Sequence, residues 1–158
     1  MTMAEPTTLV LTPTPYDDPV AAGLIEAVQQ VYVARYGGRD ATPVDAAEFA
    51  PPRGLFLVGR LGGEPIACGG WRIVSPGLAE LKRMYVASGF RGRGLSRILL
   101  AALEDSARRV GITRIRLETG HRQPEAIRLY ETSGYTVIEK FGVYRHDPGS
   151  TCFGKSLV

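Results

Sequence analysis

The sequence predicts an α+β fold, a single domain in which helices flank a mixed, mostly antiparallel central sheet. Three observations favour this class. The chain has 158 residues, the length of one domain. Three consecutive strands near its middle are joined by turns too short for a parallel crossover, so antiparallel pairing is expected. A strand–loop–helix–strand unit follows them. We therefore expect one domain over residues 1–158.

The sequence pattern of the first half of the chain predicts four strands and one helix. A weakly alternating segment at 7–12 is the first strand. Asp17-Asp18-Pro19 then marks the start of a helix, and Gly37-Gly38 marks its end. A loop rich in Pro and Ala follows. The three linked strands are predicted at 55–60, 65–74 and 78–86.

The second half predicts two helices and three further strands. A stretch rich in Gly and Arg at 88–96 leads into a helix at 97–110. A strand is expected at 112–119, and Gln123-Pro124 opens a short helix that ends at Gly134. The last two strands are predicted at 135–141 and 151–157.

Composition excludes several classes of protein. Apolar residues make up 44% of the chain and charged residues 22%, as in globular domains and unlike disordered or rod-like chains. No apolar run is long enough to span a membrane, and residues 1–8 lack the features of a secretory signal. Cys68 and Cys152 alone make neither a disulfide framework nor a metal site. We expect a cytoplasmic protein that has no metal and no membrane partner.

The basic residues are concentrated in the second half of the chain. Residues 1–75 carry 5 basic and 8 acidic side chains, whereas residues 76–158 carry 14 basic and 8 acidic ones. Such an excess is typical of a solvated face, a nucleic-acid surface or a pocket for a small polyanion. Aromatic residues do not alternate with the basic ones, as a base-stacking surface would require. We therefore favour a small anionic ligand over nucleic acid.

The motif Arg91-Gly92-Arg93-Gly94-Leu95-Ser96 is the strongest functional signal. It follows a predicted strand and opens a predicted helix. Its glycines allow a sharp turn, and the helix start offers unpaired N–H groups and a positive dipole end. Arg91, Arg93 and Arg97 place cations around the same point. The motif therefore predicts a loop that binds a pyrophosphate.

Two other nucleotide-binding patterns fail. The dinucleotide fingerprint requires a third glycine where this chain has Arg97. The run at 149–156 satisfies the letters of a P-loop, but only two residues follow it, so the required helix cannot form.

The loop and a later block resemble the two signatures of the GCN5-related N-acetyltransferase (GNAT) family. Residues 91–96 resemble the pattern Q/R-x-x-G-x-G/A, with Ser96 at the last small position. Residues 117–119 and 126–135 are similar to the second block of the family. The resemblance covers roughly residues 55–158, with a cofactor-binding core at about 78–135. It implies an enzyme that transfers an acetyl group from acetyl-CoA to a primary amine.

The resemblance also implies which residues contact acetyl-CoA. The strand before the loop would bind its pantetheine arm, and the loop with the helix start would bind its pyrophosphate. An amide side chain before the last helix would add a further contact. The residues at these positions are Met84, Tyr85 and Val86, then Arg91, Gly92, Arg93, Gly94, Leu95, Ser96 and Arg97, and finally Gln123.

Two residues carry the expected acid–base chemistry. Tyr130 matches the position of the family's general acid, and a Tyr hydroxyl with an ordinary pKa of about 10 can donate a proton to a leaving thiolate. Glu118 ends a strand and matches a position where some relatives place a general base. An ordinary Glu needs a raised pKa or a bound water to deprotonate an alkylamine. Glu80, on the strand before the loop, and a water are the alternatives.

The acceptor and the state of assembly stay open at this stage. The candidates for contacts with a polar or carboxylate-bearing acceptor are Arg72, Tyr144, Arg145 and His146. The acceptor is expected to be a small-molecule or peptide amine, and a homodimer is compatible with the resemblance. Direct transfer in a ternary complex is expected because no nucleophilic Cys or Ser motif is present. The alternatives are a non-catalytic acyl-CoA-binding module and a basic nucleic-acid-binding domain.

Overall fold

A computed structural model describes residues 8–158 of the chain. Seven strands form one sheet in the order β1-β2-β3-β4-β5-β7-β6. All neighbouring strands pair antiparallel except β4 and β5, which are parallel. The predicted α+β fold with a mixed, mostly antiparallel sheet is therefore confirmed. The strands are β1 (Leu9–Pro13), β2 (Gly54–Leu61), β3 (Glu64–Ser75), β4 (Leu78–Val86), β5 (Arg114–Gly120), β6 (Thr136–Val137) and β7 (Ser150–Ser156), and the helices are α1 (Pro19–Tyr36), α2 (Leu95–Arg109) and α3 (Pro124–Thr132).

Local signals place the ends of α1 where the sequence predicts them. The Asp18 carboxylate accepts hydrogen bonds from Val20 N at 2.9 Å and Ala21 N at 3.4 Å, which satisfies two free donors of the first turn. Gly37 ends the helix in the left-handed region, with φ 79°. The predicted first strand is also present, although Thr7 at its start lies outside the described residues.

Two apolar clusters cover the two faces of the sheet. Strand β2 shows the alternation: Leu57 joins the cluster beneath α2 and α3, whereas Phe56 and Val58 join the cluster beneath α1. The α2 cluster includes Leu99 and Leu103, both fully buried. Burial of each such side chain contributes about 1.5–3 kcal/mol to folding, so this packing holds α2 firmly against the sheet.

Two predicted strand boundaries were wrong. The strand predicted at 135–141 is limited to Thr136–Val137, and only Ile138 N adds a further bond, to Cys152 O at 2.9 Å, before the chain leaves the sheet. Strand β5 begins at Arg114 and not at 112. The N–H groups of Ile112 and Thr113 instead donate to the ends of α2 and the β3–β4 turn, at Ala107 O and Gly77 O. Propensity could not reveal these tertiary partners.

The parallel pair β4 and β5 is joined only at its beginning. Three residues of each strand are paired, from Leu78 with Arg114 to Glu80 with Arg116. Beyond Glu80, β4 continues to Val86 and β5 continues to Gly120 without pairing to each other. The sheet therefore splits at its centre, and the split places a cleft between the ends of these two strands.

Within residues 8–158, no helix is both long and apolar enough to cross a membrane.

Candidate active site

A cleft of about 660 Å³ lies where β4 and β5 separate. Residues 81–86 and 117–120 line its two sides. The start of α2, one face of α3 and the chain around 36–41 complete it. This volume lies within the usual range of about 300–1,000 Å³ for small-molecule sites.

The glycine loop opens onto this cleft. Gly92 and Gly94 have φ values of 77° and 75°, which L side chains rarely adopt. Apart from the adjoining residues, no atom of residues 8–158 lies within 4 Å of where their Cβ atoms would stand. Gly94 caps α2 without a side-chain hydrogen bond, so the first N–H groups of the helix remain available. Arg91 Nε donates to Val86 O at 3.0 Å and fixes the loop against β4. This open helix start fits a phosphate group.

Most residues of the expected cofactor set line the cleft, but two arginines do not. The members of the set that line the cleft are Met84, Tyr85, Val86, Arg91, Gly92, Gly94, Leu95, Ser96 and Gln123. The Arg93 guanidinium instead lies over the Phe90 ring, 5.4 Å from its centroid. Arg97 donates to the hydroxyls of Thr132 and Ser133 and so ties α2 to α3.

Tyr130 projects from α3 into the apolar side of the cleft. Its ring packs against Tyr135 and Phe153, with centroids 5.5 and 6.3 Å away. No group among residues 8–158 forms a hydrogen bond with its hydroxyl, and the residue lines the cleft. Burial raises the pKa of Tyr130 well above its usual value. The hydroxyl therefore stays protonated and free to donate.

Glu118 lies on β5 and faces the other side of the sheet. Its neighbour Leu117 belongs to the α2 cluster, so the alternation of the strand turns Glu118 toward α1. The side chain is half-buried and lines the cleft. Burial raises the pKa of Glu118, and nearby Lys82 opposes that rise. A carboxylate with a raised pKa is a stronger base.

Glu80, the alternative base, does not line the cleft. It lies in the paired part of β4, almost buried, with Arg72 Nη2 at 3.7 Å and Arg116 Nη2 at 3.9 Å. Arg72 also donates to Pro43 O at 2.9 Å and to Glu48 at 3.0 Å. These charges hold the loop after α1 against the sheet, and so Arg72 does not reach the cleft either.

Of the residues suggested in the last loop, only Tyr144 lines the cleft. Its hydroxyl accepts a hydrogen bond from Ala41 N at 2.6 Å, and burial raises its pKa. Arg145 donates to Gly142 O at 2.9 Å within its own turn. His146 is exposed and lies outside the lining.

A cluster of three charged residues in the cleft was missed by sequence reasoning. Lys82 Nζ and Arg83 Nη1 lie 2.7 and 2.6 Å from the same Asp40 oxygen. Burial opposes the ionisation of Asp40, but Lys82, the Thr42 N–H and Arg83 outweigh it and hold the pKa of this carboxyl well below its usual value. The sequence does show two adjacent cations, Lys82 and Arg83, in an otherwise apolar strand, and this pattern could have indicated a charged site. No sequence pattern indicates Asp40, in the loop after α1, as a site residue.

Two buried hydroxyls of the cleft were also missed. Thr119 and Ser150 both line it, and within the described structure neither hydroxyl has a hydrogen-bond partner. A buried polar group without a partner costs about 1–3 kcal/mol. Such groups are expected where a ligand or water completes the bonding, which supports a polar ligand in this cleft.

Gly120 lets the end of α1 close over β5. A Cβ at this position would lie 2.2 Å from the Tyr36 hydroxyl oxygen. The same oxygen accepts a hydrogen bond from Arg122 N at 3.2 Å. Arg35 donates to Arg122 O and forms an ion pair with Glu125. These contacts join the end of α1 to the chain after β5 and to α3, at one end of the cleft.

In the part of the chain that the structure describes, no group of three or more His, Cys, Asp or Glu side chains could hold a metal ion. Cys68 and Cys152 are free thiols and both are buried.

Comparisons with known proteins agree with this geometry. The model of the acetyltransferase (GNAT) family matches residues 24–135. An IAA acetyltransferase of Azospirillum brasilense is 34% identical over 153 residues, which cover 96% of this chain and 99% of that protein.

Solved structures share the fold. A crystal structure from Klebsiella pneumoniae, of a protein assigned to the acyl-CoA N-acyltransferases, has 31% identity and a TM-score of 0.82, with 96% of this chain and 99% of that chain covered. The PaiA N-acetyltransferase of Thermoplasma acidophilum, solved in complex with coenzyme A, has a TM-score of 0.71 at 16% identity, covers 94% and 99% of the two chains, and supports the fold alone. The split sheet, the glycine loop and these matches together show that the chain belongs to the GNAT family of acetyltransferases.

Proposed function

We propose that this acetyltransferase moves an acetyl group from acetyl-CoA directly to a primary amine within a ternary complex. The observation that carries the proposal is the placement of Tyr130 and Glu118. Both line one cleft, Tyr130 from the α3 side and Glu118 from the α1 side of the split sheet. A hydroxyl that would donate a proton and a carboxylate that would accept one thus face the same space from opposite sides, which suits an acyl transfer to an amine.

The cleft offers suitable groups for acetyl-CoA, which supplies the acetyl group as a thioester. The loop glycines and the uncapped start of α2 would hold its pyrophosphate. Met84, Tyr85 and Val86 of the unpaired part of β4 would bind its pantetheine arm. The unpartnered hydroxyl of Thr119 and the amide of Gln123 are available for further polar contacts.

Glu118 would take the proton of the incoming amine. An amine with a pKa of about 10 is almost wholly protonated at pH 7, so a base is needed before it can attack. Because burial raises the pKa of Glu118, its carboxylate accepts a proton more readily than an exposed one. The Ser150 hydroxyl lines the same cleft close enough to Glu118 to lower its pKa, and it would hold a water between the amine and this carboxylate.

Tyr130 would supply a proton to the leaving thiolate. Burial raises the pKa of Tyr130, so its hydroxyl is protonated when each turnover begins. The tyrosinate left after proton donation would regain a proton from water, because a group of high pKa is readily reprotonated. Its ring is fixed by Tyr135 and Phe153, which holds the hydroxyl in one orientation.

The cysteines support direct transfer over an acyl-enzyme. A thiolate is the reactive form of cysteine. Burial raises the pKa of Cys68 to about 12 and also raises the pKa of Cys152, so both stay protonated. Neither residue lines the cleft.

The proposal is tested by release of free thiol from acetyl-CoA in the presence of a panel of primary amines, with the acetylated product identified by mass spectrometry. We expect amine-dependent thiol release that requires Tyr130 and Glu118. A non-catalytic acyl-CoA-binding module would be stabilised by acetyl-CoA but would release no thiol with any amine. A burst of thiol before amine is added would indicate an acyl-enzyme and contradict direct transfer.

A further inference from the structure

A bulge in β4 turns two adjacent cations to the same side of the sheet. Cys68 of β3 pairs with Tyr85, but two residues later Gly70 pairs with Lys82, so β4 has one extra residue there. Arg83 occupies the bulge with φ 62°, and within residues 8–158 no other non-glycine residue has a positive φ. In a regular strand, Lys82 and Arg83 would face opposite sides. Here both reach Asp40 on the α1 side.

The two cations have donor capacity that the protein does not use. Lys82 Nζ has three protons and, among residues 8–158, makes one hydrogen bond, to Asp40. Arg83 donates from Nε to the Tyr16 hydroxyl at 3.2 Å and from Nη1 to Asp40, and no described residue accepts from its Nη2. The side chains of Lys82 and Arg83 are only 11% and 3% exposed, and both residues line the cleft. The Asp40 carboxylate is thus the shared ion-pair partner of two nearly buried cations.

Lys82 faces Glu118 across the split. Glu80 and Arg116 are the last pair that joins β4 to β5. Lys82 and Glu118 each stand two residues further along their strands, so both project on the α1 side from opposite edges of the opening. No ion pair joins them among the described residues. A cation and a carboxylate therefore face each other with the cleft between them.

We propose that Lys82, assisted by Arg83, binds a carboxylate of the acceptor, so that the acceptor is an amino carboxylate whose ammonium group lies at Glu118. This rests on the proposed N-acetyltransferase function, in which Glu118 receives the amine proton. Asp40 and Glu118 together balance Lys82 and Arg83. A zwitterionic acceptor preserves this balance before and after its proton moves to Glu118. A simple ammonium ion would leave one excess positive charge in a half-buried site, which is costly.

The test compares kcat/KM for matched pairs of acceptors under saturating acetyl-CoA. Each pair is an amino carboxylate and its primary amide, taken from α-, β- and γ-amino acids, with simple alkylamines as a third group. We expect every accepted carboxylate to exceed its amide. A preference for the amides or alkylamines would overturn the carboxylate site and leave the acetyltransferase function intact. Absence of thiol release with all three groups would count against both.

Variants of Lys82 identify the residue responsible. Lys82→Met should lower kcat/KM for the carboxylate about 10- to 100-fold and change the value for the amide little, because one charge-assisted hydrogen bond is lost. Lys82→Arg should keep the preference. Arg109→Met, at the exposed end of α2 and outside the cleft, is the matched control and should behave as wild type.

Stability measurements separate binding from folding in these variants. Asp40 keeps Arg83 as a partner in Lys82→Met, so we expect a cooperative melt and an unchanged shift of the melting temperature by acetyl-CoA. If Lys82→Met lowers kcat/KM equally for the carboxylate and its amide, Lys82 only tethers the loop that contains Asp40, and the proposal is wrong.

Discussion

Tyr130→Phe should remove one proton donor and leave the fold intact. The substitution keeps the ring that packs on Tyr135 and Phe153. Loss of a general acid typically lowers the rate about 10²- to 10⁴-fold, which is about 3–5 kcal/mol of transition-state stabilisation. The hydroxyl has no partner within residues 8–158, so its removal should leave stability unchanged or raise it by up to about 1 kcal/mol. That gain would shift the melting temperature by about 2–4 °C.

Tyr135→Phe is the matched control for this prediction. The Tyr135 hydroxyl donates to Glu104 Oε2 at 2.7 Å in the core and lies outside the cleft. Its loss should destabilise the protein by about 1.5–3 kcal/mol, the usual worth of a hydrogen bond to a charged group, and spare turnover. We therefore expect Tyr130→Phe to lose turnover and keep its stability, and Tyr135→Phe to lose stability and keep its turnover.

The assay is kcat at saturating acetyl-CoA and one accepted amine, with thermal melts of both variants beside wild type. Wild-type turnover in Tyr130→Phe would refute the role of Tyr130 as acid. A large loss of turnover in the folded Tyr135→Phe variant would show that the rate also depends on the Tyr135–Glu104 hydrogen bond, so the effect of Tyr130→Phe could not be assigned to its proton alone. Because burial raises the pKa of Tyr130, the wild-type rate should show no loss from Tyr130 ionisation up to about pH 10.

Three further predictions concern the base, the loop and the buried charges. Glu118→Gln should lower turnover most at neutral pH, by about 10²-fold; turnover measured against pH should recover on the alkaline side, where free amine is abundant, and an unchanged profile would exclude Glu118 as the base. Gly94→Val should abolish the thermal stabilisation by acetyl-CoA, which is about 2.7 kcal/mol at 100 times Kd in the intact protein; an undiminished shift would remove the loop from the site. Asp40 has a lowered pKa, so its contribution to stability is complete above the unfolded-state value of about 3.9 and is lost as the pH falls through the folded value. Asp40→Asn should therefore cost about 3 kcal/mol at pH 7 and lose less stability than wild type below about pH 4, as urea unfolding would show.

The elements of the fold were largely predictable because their signals are local. The Asp18 cap, the Gly37 stop and the tight turns between β2, β3 and β4 depend on residues a few positions apart. The glycine loop before α2 was predictable for the same reason. The end of β6 was not predictable from local signals. It is set by where the chain stops pairing with β7, which lies further along the sequence.

The site was predictable in part. Motif resemblance led to Tyr130, Glu118 and most of the expected cofactor residues, and the structure brings these to one cleft. Arg93 and Arg97 were predicted from proximity in sequence, but Arg93 lies over the nearby Phe90 ring and Arg97 donates to hydroxyls at the end of α3. The motif does not specify the tertiary partners of long, flexible side chains near it, because those partners lie on other elements of the fold.

The sequence by itself determined the fold class, the ends of α1 and the glycine loop before α2, because these depend on short-range chemistry. Only the tertiary structure showed which of Glu80 and Glu118 faces the cleft. Both are strand carboxylates, but Glu80 lies where β4 and β5 are joined, between Arg72 and Arg116, and Glu118 lies beyond the split. The bulge at Arg83 likewise arises from register with β3 and sets which way Lys82 and Arg83 face. Strand register joins residues far apart in the chain, so no local pattern could reveal which charges share the cleft.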